Sequence, residues 1–375
     1  MKVGIVTFHT AINYGAVLQA LALQETLSSL SDSVEIVNYE SDEVVAIYHP
    51  FSLRKYKRLF RNSVRGVVRS LASDLLHGWR VMRKNRNFQK FFKAHYRMSE
   101  VSYRAPVELS EATVKYDACF AGSDQIWNPD ITRGFDSVYF LNFGHKNMIR
   151  ASYAASIGRD SFSEEESAIL KQELERFDAI SLRERSAVDV VAPLCAVAPV
   201  ISLDPTLLLT AEQWNRKLKK GSPQKGRYIF VYELYQNPEL KKIAEAVSKK
   251  HKLPIVTVNM KKTYEGEVAA YGTAGPEDWV ALLAGADFVV TNSFHGTAFS
   301  INFSKQFVTV LGKKRNSRVL DLLSSLGIKN RAVFNYDDLE FENPPIDYMA
   351  VQERLNEARA RSKAYIQGVL ERKEV

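Results

Sequence analysis

Apolar and polar positions repeat one pattern along the chain: a short apolar run, a polar turn, then apolar residues at helical spacing. KVGIVTF (2–8) reads as a strand, and NYGAVLQALALQETLSSL (13–30) as a helix carrying Val17, Leu21 and Leu27. VEIVNY (34–39) is the next strand, so the opening is a βαβ unit. Further on, YDACFAG (116–122), RASYAASIG (150–158), AISLRE (179–184) and VISLDP (200–205) read as strands, with helices at 163–177 and from Ser186. The pattern then restarts. RYIFVYEL (227–234), LPIVTVNM (253–260), DFVVT (287–291) and FVTVLG (307–312) are strands between helices at 237–251, 275–286, from about 296, and 317–327. A long helix is expected over 347–373.

Strands alternating with helices predict an α/β fold with two doubly wound, Rossmann-like parallel sheets facing a central cleft. The expected divisions are a first domain over 1–210, a second over 211–345, and a closing helix over 346–375 that can cross back to the first domain. A basic helical insertion at about 50–100 interrupts the first domain, and the linker is expected between Leu209 and Gly226. No internal repeat or low-complexity tract intervenes. Ligands of such folds bind at the carboxyl ends of the strands, so the strand-to-helix turns are where chemistry is expected.

Composition narrows the class. A chain of 375 residues, 46% of them hydrophobic, can fill two cores. The N-terminal MKVGIVTF lacks the features of a secretion signal, and no run approaches the roughly 18 apolar residues of a membrane span. Cys119 and Cys195 stand in apolar surroundings and read as buried thiols. A cytoplasmic protein is expected. The net charge of +8 is regional: Arg54 to Arg97 holds fourteen Lys and Arg against Asp74, a segment charge of +13 that leaves −5 elsewhere.

Four turns and one cluster could carry chemistry. In TFHTAINYGAVLQA, His9 follows the strand, and Asn13, Tyr14 and Gly15 precede a helix whose first amides could hold an anion. An Asn cap on an ordinary turn explains the same residues. In FAGSDQIWNPD, Ser123, Asp124 and Gln125 suit hydroxyl recognition, with Asp124 as a base; capping is the alternative. Trp127 could stack on a sugar or fill the domain edge. In ISLRERS, Arg183 could grip a carboxylate or phosphate in a two-pronged contact, or pair with a neighbouring acid. In TNSFHGTAFS, Asn292, Ser293, His295 and Gly296 stand between strand and helix, and histidine can move a proton near neutrality. Lys313, Lys314, Arg315 and Arg318 surround a later helix start, where they could bind phosphate or be solvated. No nucleotide-binding glycine motif, zinc spacing, nucleophile elbow or obvious metal-binding acid cluster is present, and no metal is expected.

Together these stretches resemble the polysaccharide pyruvyl transferase family. TFHTAINYGAVLQALAL, AGSDQIWNP, ASYAASIG, SLRERS, LDPTLLL, TNSFHGTAFSINFSKQF and SRVLDLLSSLGI occur in the family's usual order over residues 3–328. GSDQIWNP with NSFHGT at this separation is specific where neither alone would be. The resemblance implies a fold like two-domain GT-B glycosyltransferases. It also implies transfer of a pyruvyl group from phosphoenolpyruvate to a sugar, typically as a ketal, with no cofactor beyond that donor. The family's acidic-ligand arginine and catalytic histidine fall on Arg183 and His295.

The basic stretch 51–97 reads as an amphipathic arm for an anionic membrane surface, with Arg58, Arg61, Arg65 and Arg69 at three- or four-residue steps. Such an arm fits a glycan acceptor linked to polyprenyl diphosphate at the inner face of the membrane. A solvated helix pair covering the domain is the alternative, and no nucleic-acid motif accompanies the charge. Two other functions stay open on the residues alone: a GT-B-type glycosyltransferase using a nucleotide sugar, and a basic scaffold for membrane or nucleic acid.

Overall fold

The computed structural model describes residues 1–41, 64–112, 114–312, 316–340 and 344–374, with backbone only for 64–77 and 373–374. The first half runs β1 (Lys2–Val6), α1 (Tyr14–Ser28), β2 (Ser33–Tyr39), α2 (Val64–His95), β3 (Met98–Tyr103), α3 (Pro106–Glu111), β4 (Ala118–Ala121), α4 (Pro129–Thr132), β5 (Ile149–Ser152) and α5 (Glu164–Leu174). Then follow β6 (Ser181–Leu182), α6 (Arg185–Val191), β7 (Val200–Ile201) and α7 (Ala211–Leu218). The second half runs β8 (Ile229–Tyr232), α8 (Pro238–His251), β9 (Ile255–Thr257), β10 (Glu267–Ala270), α9 (Pro276–Ala284), β11 (Phe288–Thr291) and α10 (Phe294–Asn302). It closes with β12 (Gln306–Val310), α11 (Ser317–Ser325), β13 (Ala332–Val333) and α12 (Tyr348–Leu370).

Two parallel sheets result, in orders β3-β2-β1-β4-β5 and β10-β9-β8-β11-β12-β13. The strands over the cleft are short and fully buried: ACFA in β4 and IFVY in β8 have every residue inside. Strands covered by helices on both faces need apolar residues at every position, which explains continuous runs in place of alternation. β6 and β7 form a small parallel pair beside β5, joined to its end by bridges Ala151–Ala179 and Ala155–Leu182.

The halves share buried contacts. Tyr14 of α1 stacks on Trp279 of α9, with centroids 5.6 Å apart and planes 13° apart, and its hydroxyl donates to Ala274 O at 3.0 Å. Phe88, Phe91 and Phe92 of α2 enter the same core. The described end of α2 spans the halves: Asn87 donates to Thr273 O at 2.7 Å, and His95 Nε2 lies 2.7 Å from Glu277 Oε1. Helix α12 packs Val351 and Leu355 in the second half's core and Ile366 and Val369 against the first sheet. Within the expected linker, Thr210 caps α7 and Trp214 is buried against the second core. Cys119 and Cys195 are free thiols; burial pushes the Cys195 thiol up to about 11.

Candidate active site

The strand order reverses between β1 and β4 in one sheet and between β8 and β11 in the other. Loops diverge at such a point and leave a crevice at the carboxyl ends of the strands. The two crevices face each other. The turns after β1, β4, β8 and β11 line one cavity of about 280 Å³, completed by the end of β12 and the start of α11.

The turn after β1 divides its residues between wall and core. Asn13 lines the cavity while its Oδ1 accepts from Gly15 N at 2.9 Å and Ala16 N at 3.2 Å, capping α1. His9 is buried outside the lining, with Nδ1 3.1 Å from Thr7 O and Nε2 3.4 Å from Asn38 Oδ1. Burial lowers its pKa, outweighing the partners that raise it. The expected substrate contacts by His9 and Tyr14 are therefore corrected: both are interior residues, and Tyr14 joins the halves.

Gly15 serves the histidine of the other half. A Cβ placed on Gly15 would sit 2.0 Å from His295 Nδ1, so only glycine lets the imidazole lie against the start of α1.

After β4, Asp124 and Gln125 line the cavity. Asp124 holds φ at +81°, a region that costs a non-glycine residue about 1–3 kcal/mol and collects at functional turns. Its Oδ1 accepts from Gln125 N at 2.9 Å. Ser123 is fully buried one layer back and donates to Asp204 Oδ2 at 3.2 Å. Trp127 is also fully buried, donating to Tyr139 O at 3.0 Å, which excludes it as a sugar platform.

Arg183 is likewise one layer back. Its Nη1 donates to Asp204 Oδ2 at 2.9 Å, and its guanidinium lies 4.9 Å from the Phe294 ring centroid. Nε stands 3.7 Å from Glu184 Oε2 and Nη2 3.8 Å from Asp124 Oδ1, and both lack a hydrogen-bond partner. Burial opposes the charge, but Asp204, Glu184 and Asp124 more than offset it and hold the pKa above its ordinary value. Arg183 lines a neighbouring cavity of about 340 Å³, which shares Phe294 and Arg318 with the first. Arg183 is thus held to Asp204 through Nη1 and faces the neighbouring cavity, not the one that His295 lines.

Asp204 is the residue that the sequence reading passed over as a site residue. It caps the turn after β7, where Oδ1 accepts from Thr206 N at 2.9 Å and Thr206 Oγ1 at 2.7 Å. Its other oxygen faces Arg183, Ser123 and, at 3.5 Å, His295 Nε2. That last separation is an ion-pair distance, long for a hydrogen bond. Burial would raise the pKa of Asp204, but His295, Arg183 and Thr206 hold it well below the usual carboxylate range. The clue in the sequence was an acid ending a strand in VISLDP.

After β11, Asn292 Oδ1 accepts from Leu234 N at 2.7 Å and Nδ2 donates to Tyr235 O at 2.7 Å, tying two turns together. Ser293 Oγ accepts from Gly296 N at 3.4 Å and caps α10. His295 is buried yet lines the cavity. Gly296, one of the turn's candidate site residues, serves packing: a Cβ there would lie 2.4 Å from Thr291 Oγ1, so the glycine lets α10 pack on its own strand. Lys313, Lys314 and Arg315 lie outside the described residues, whereas Arg318 lines the cavity.

Three helix starts, α1, α10 and α11, bring Asn13, Ser293 and Asn316 into this lining. The first amides of a helix have no intrahelical acceptor and carry partial positive charge. Asn13 and Ser293 already take up amides of α1 and α10, whereas the first turn of α11 has no side-chain cap. With Arg318 and His295, these ends suit an anionic ligand. Asp124 is the one carboxylate among the described lining residues. No group of three His, Cys, Asp or Glu among the described residues is placed to hold a metal.

Fold and cleft define a two-domain α/β protein of the GT-B type, with its site between two Rossmann-like halves. The family profile "Polysaccharide pyruvyl transferase" matches residues 13–312, and the chain belongs to that family. It is therefore an enzyme of polysaccharide biosynthesis. A comparison with curated protein sequences finds no match. Among solved structures, the chain is similar to S. aureus MnaA with UDP, at 11% identity and a TM-score of 0.44, covering 97% of this chain and 91% of that one. It is also similar to UDP-GlcNAc 2-epimerase from Neisseria meningitidis bound to UDP-GlcNAc, at 8% identity and 0.43, covering 98% and 94%. E. coli ADP-heptose lps heptosyltransferase II matches at 10% identity and 0.38, covering 97% and 100%.

Proposed function

We propose that the protein moves the pyruvyl group of phosphoenolpyruvate onto two hydroxyls of a sugar in a polysaccharide precursor, forming a ketal and releasing phosphate. The observation that carries this reading is the convergence of three helix starts, Arg318 and the His295–Asp204 pair on one cleft. Phosphoenolpyruvate brings a carboxylate and a phosphate, which such a cleft accommodates.

The chemistry assigns roles. A proton added to the enol methylene leaves a cation-like centre at the adjacent carbon. A sugar hydroxyl attacks that carbon, the carbon–oxygen bond to phosphate breaks, and a second hydroxyl closes the ring. Of the two protons the hydroxyls release, one replaces that delivered to the methylene and the other leaves with phosphate. His295 is the proton donor in this scheme, and Asp124 accepts from the attacking hydroxyl. Asp204 orients the imidazole and stabilises positive charge on it; Arg183 positions Asp204. The atoms balance without a redox partner.

The test is phosphate release from phosphoenolpyruvate on adding lipid-linked oligosaccharides, with mass spectrometry of the acceptor. A mass gain of one pyruvyl ketal matched to phosphate supports the proposal. Thermal stabilisation by a nucleotide sugar alone, with no phosphate release, points instead to glycosyl transfer.

We further infer contact with an anionic membrane surface through the basic stretch 51–97; Arg58 and Arg61, like the side chains of Arg65 and Arg69, lie outside the described residues, and the outward face of α2 from Trp79 onward supports the reading. Trp79 and Met82 are exposed at 53% and 54%, and Arg83, Arg86, Lys90 and Lys93 continue that face at helical steps. This placement favours an acceptor carried on a polyprenyl diphosphate. No helix among the described residues is long and apolar enough to cross a membrane. Flotation with vesicles containing phosphatidylglycerol tests the contact; no binding at moderate salt removes it.

A further inference from the structure

The geometry points to an acceptor subsite at the mouth of the cleft, in which the Tyr235 ring is a platform for the apolar face of a pyranose. The inference rests on the reading of the protein as a transferase to sugar. Leu234 and Tyr235 follow β8 and line the cavity, yet they remain 49% and 44% exposed. Two adjacent large side chains exposed at a cavity mouth form an apolar surface that a bound ligand can cover.

The exposure is built into the turn. Asn292 clamps it at two points, accepting from Leu234 N and donating to Tyr235 O, each at 2.7 Å. The preceding residue is fixed as well: Glu233 accepts from Tyr264 Oη at 2.8 Å and from Asn237 N at 2.9 Å. A turn whose backbone is already fixed loses little entropy when a ligand settles on it. Moreover, Asn292 belongs to the turn that carries His295, so the platform keeps a set position relative to the proton donor.

Carbohydrate chemistry matches this layout. A pyranose has a patch of axial C–H groups on one face and hydroxyls around its edge. The ring of Tyr235 offers the apolar contact. Asp124 and Gln125, on the facing half, offer polar partners to the hydroxyl edge. The other aromatics at the site are buried: Phe8 and Phe294 line the cavity but are less than a tenth exposed, and Trp127 is fully buried. The apolar face of the acceptor therefore lies on the second half, and its reactive hydroxyls turn toward Asp124 of the first.

Saturation-transfer NMR with methyl β-D-glucopyranoside and methyl β-D-galactopyranoside tests this without any turnover. The wild type is expected to transfer saturation to the protons of one ring face of at least one glycoside. Tyr235→Ala weakens binding about tenfold, the upper end of an aromatic contact, while Tyr235→Trp retains it. Phosphoenolpyruvate raises the melting temperature of wild type and Tyr235→Ala equally. Absent transfer to both glycosides, or transfer unchanged in Tyr235→Ala, overturns the subsite. Sugar binding that depends on Tyr235 but brings no phosphate release leaves the subsite standing and refutes the donor.

Discussion

Asp204 and His295 come from different halves of the molecule, and their side chains face each other across 3.5 Å between Oδ2 and Nε2. Neither is positioned by the other alone. Arg183 and Ser123 fix the carboxylate, and Gly15 leaves the space for the imidazole. Any rotation of one half against the other changes this separation, so the pair reports whether the cleft is assembled.

Replacing the carboxylate isolates its charge. Asp204→Asn is expected to lower kcat by about 10²-fold or more, the scale of losing an oriented proton donor. Donor affinity changes less, because Asp204 does not line the cavity that holds His295. The same variant has a pH signature. A carboxylate held low in the fold adds stability above its unfolded value of about 3.9, and that stability is lost as pH falls below it. Urea midpoints should therefore drop on acidification more in the wild type than in Asp204→Asn. Equal drops would remove Asp204 from the account.

Gly15→Ala puts a methyl group where the imidazole lies. The ring must shift, and a displacement near 1 Å costs on the order of 10² in rate. The change is expected in kcat, with the melting temperature lowered only modestly. Turnover equal to wild type would mean that His295 works from another position.

Arg183→Met removes the cation between three carboxylates, two of them buried. Leaving such a buried charge uncompensated costs roughly 3–5 kcal/mol. Denaturant midpoints check this directly. Arg183→Met combined with Asp204→Asn should recover part of the loss; additive losses would show that the two side chains are independent.

Lys84 gives a test on the alkaline side. Its ammonium lies 4.8 Å from the Tyr14 ring centroid between the halves, and burial pushes its pKa down to about 8. Above that value the fold holds a neutral amine while the unfolded chain still binds a proton, up to about 10.4. Stability therefore rises with pH over this window. Urea midpoints for wild type should gain on those of Lys84→Met between about pH 8 and 10. Parallel curves would contradict this.

What was legible in the sequence was local. A buried parallel strand followed by a polar turn and a helix is written in consecutive residues, so the turns after β1, β4 and β11 stood out. Which side chains of a turn face the cleft is settled by packing between distant segments. His9 and Tyr14 therefore looked like their neighbour Asn13. Asp204 was hidden because its partners, Ser123, Arg183 and His295, lie far apart in the chain. Edge strands were also missed: β3 is largely exposed and has no apolar run, and β10 opens on Glu267, whose carboxylate accepts from Thr257 Oγ1 at 2.7 Å.

The most direct measurement is the reaction in heavy water. With phosphoenolpyruvate and a lipid-linked oligosaccharide, the product should be a pyruvyl ketal whose methyl group carries one solvent deuterium, with one phosphate released per ketal. His295→Ala should slow both together by about 10²–10⁴-fold while remaining folded. A ketal formed at wild-type rate by His295→Ala, or a product carrying a transferred sugar and no pyruvyl group, would contradict the account.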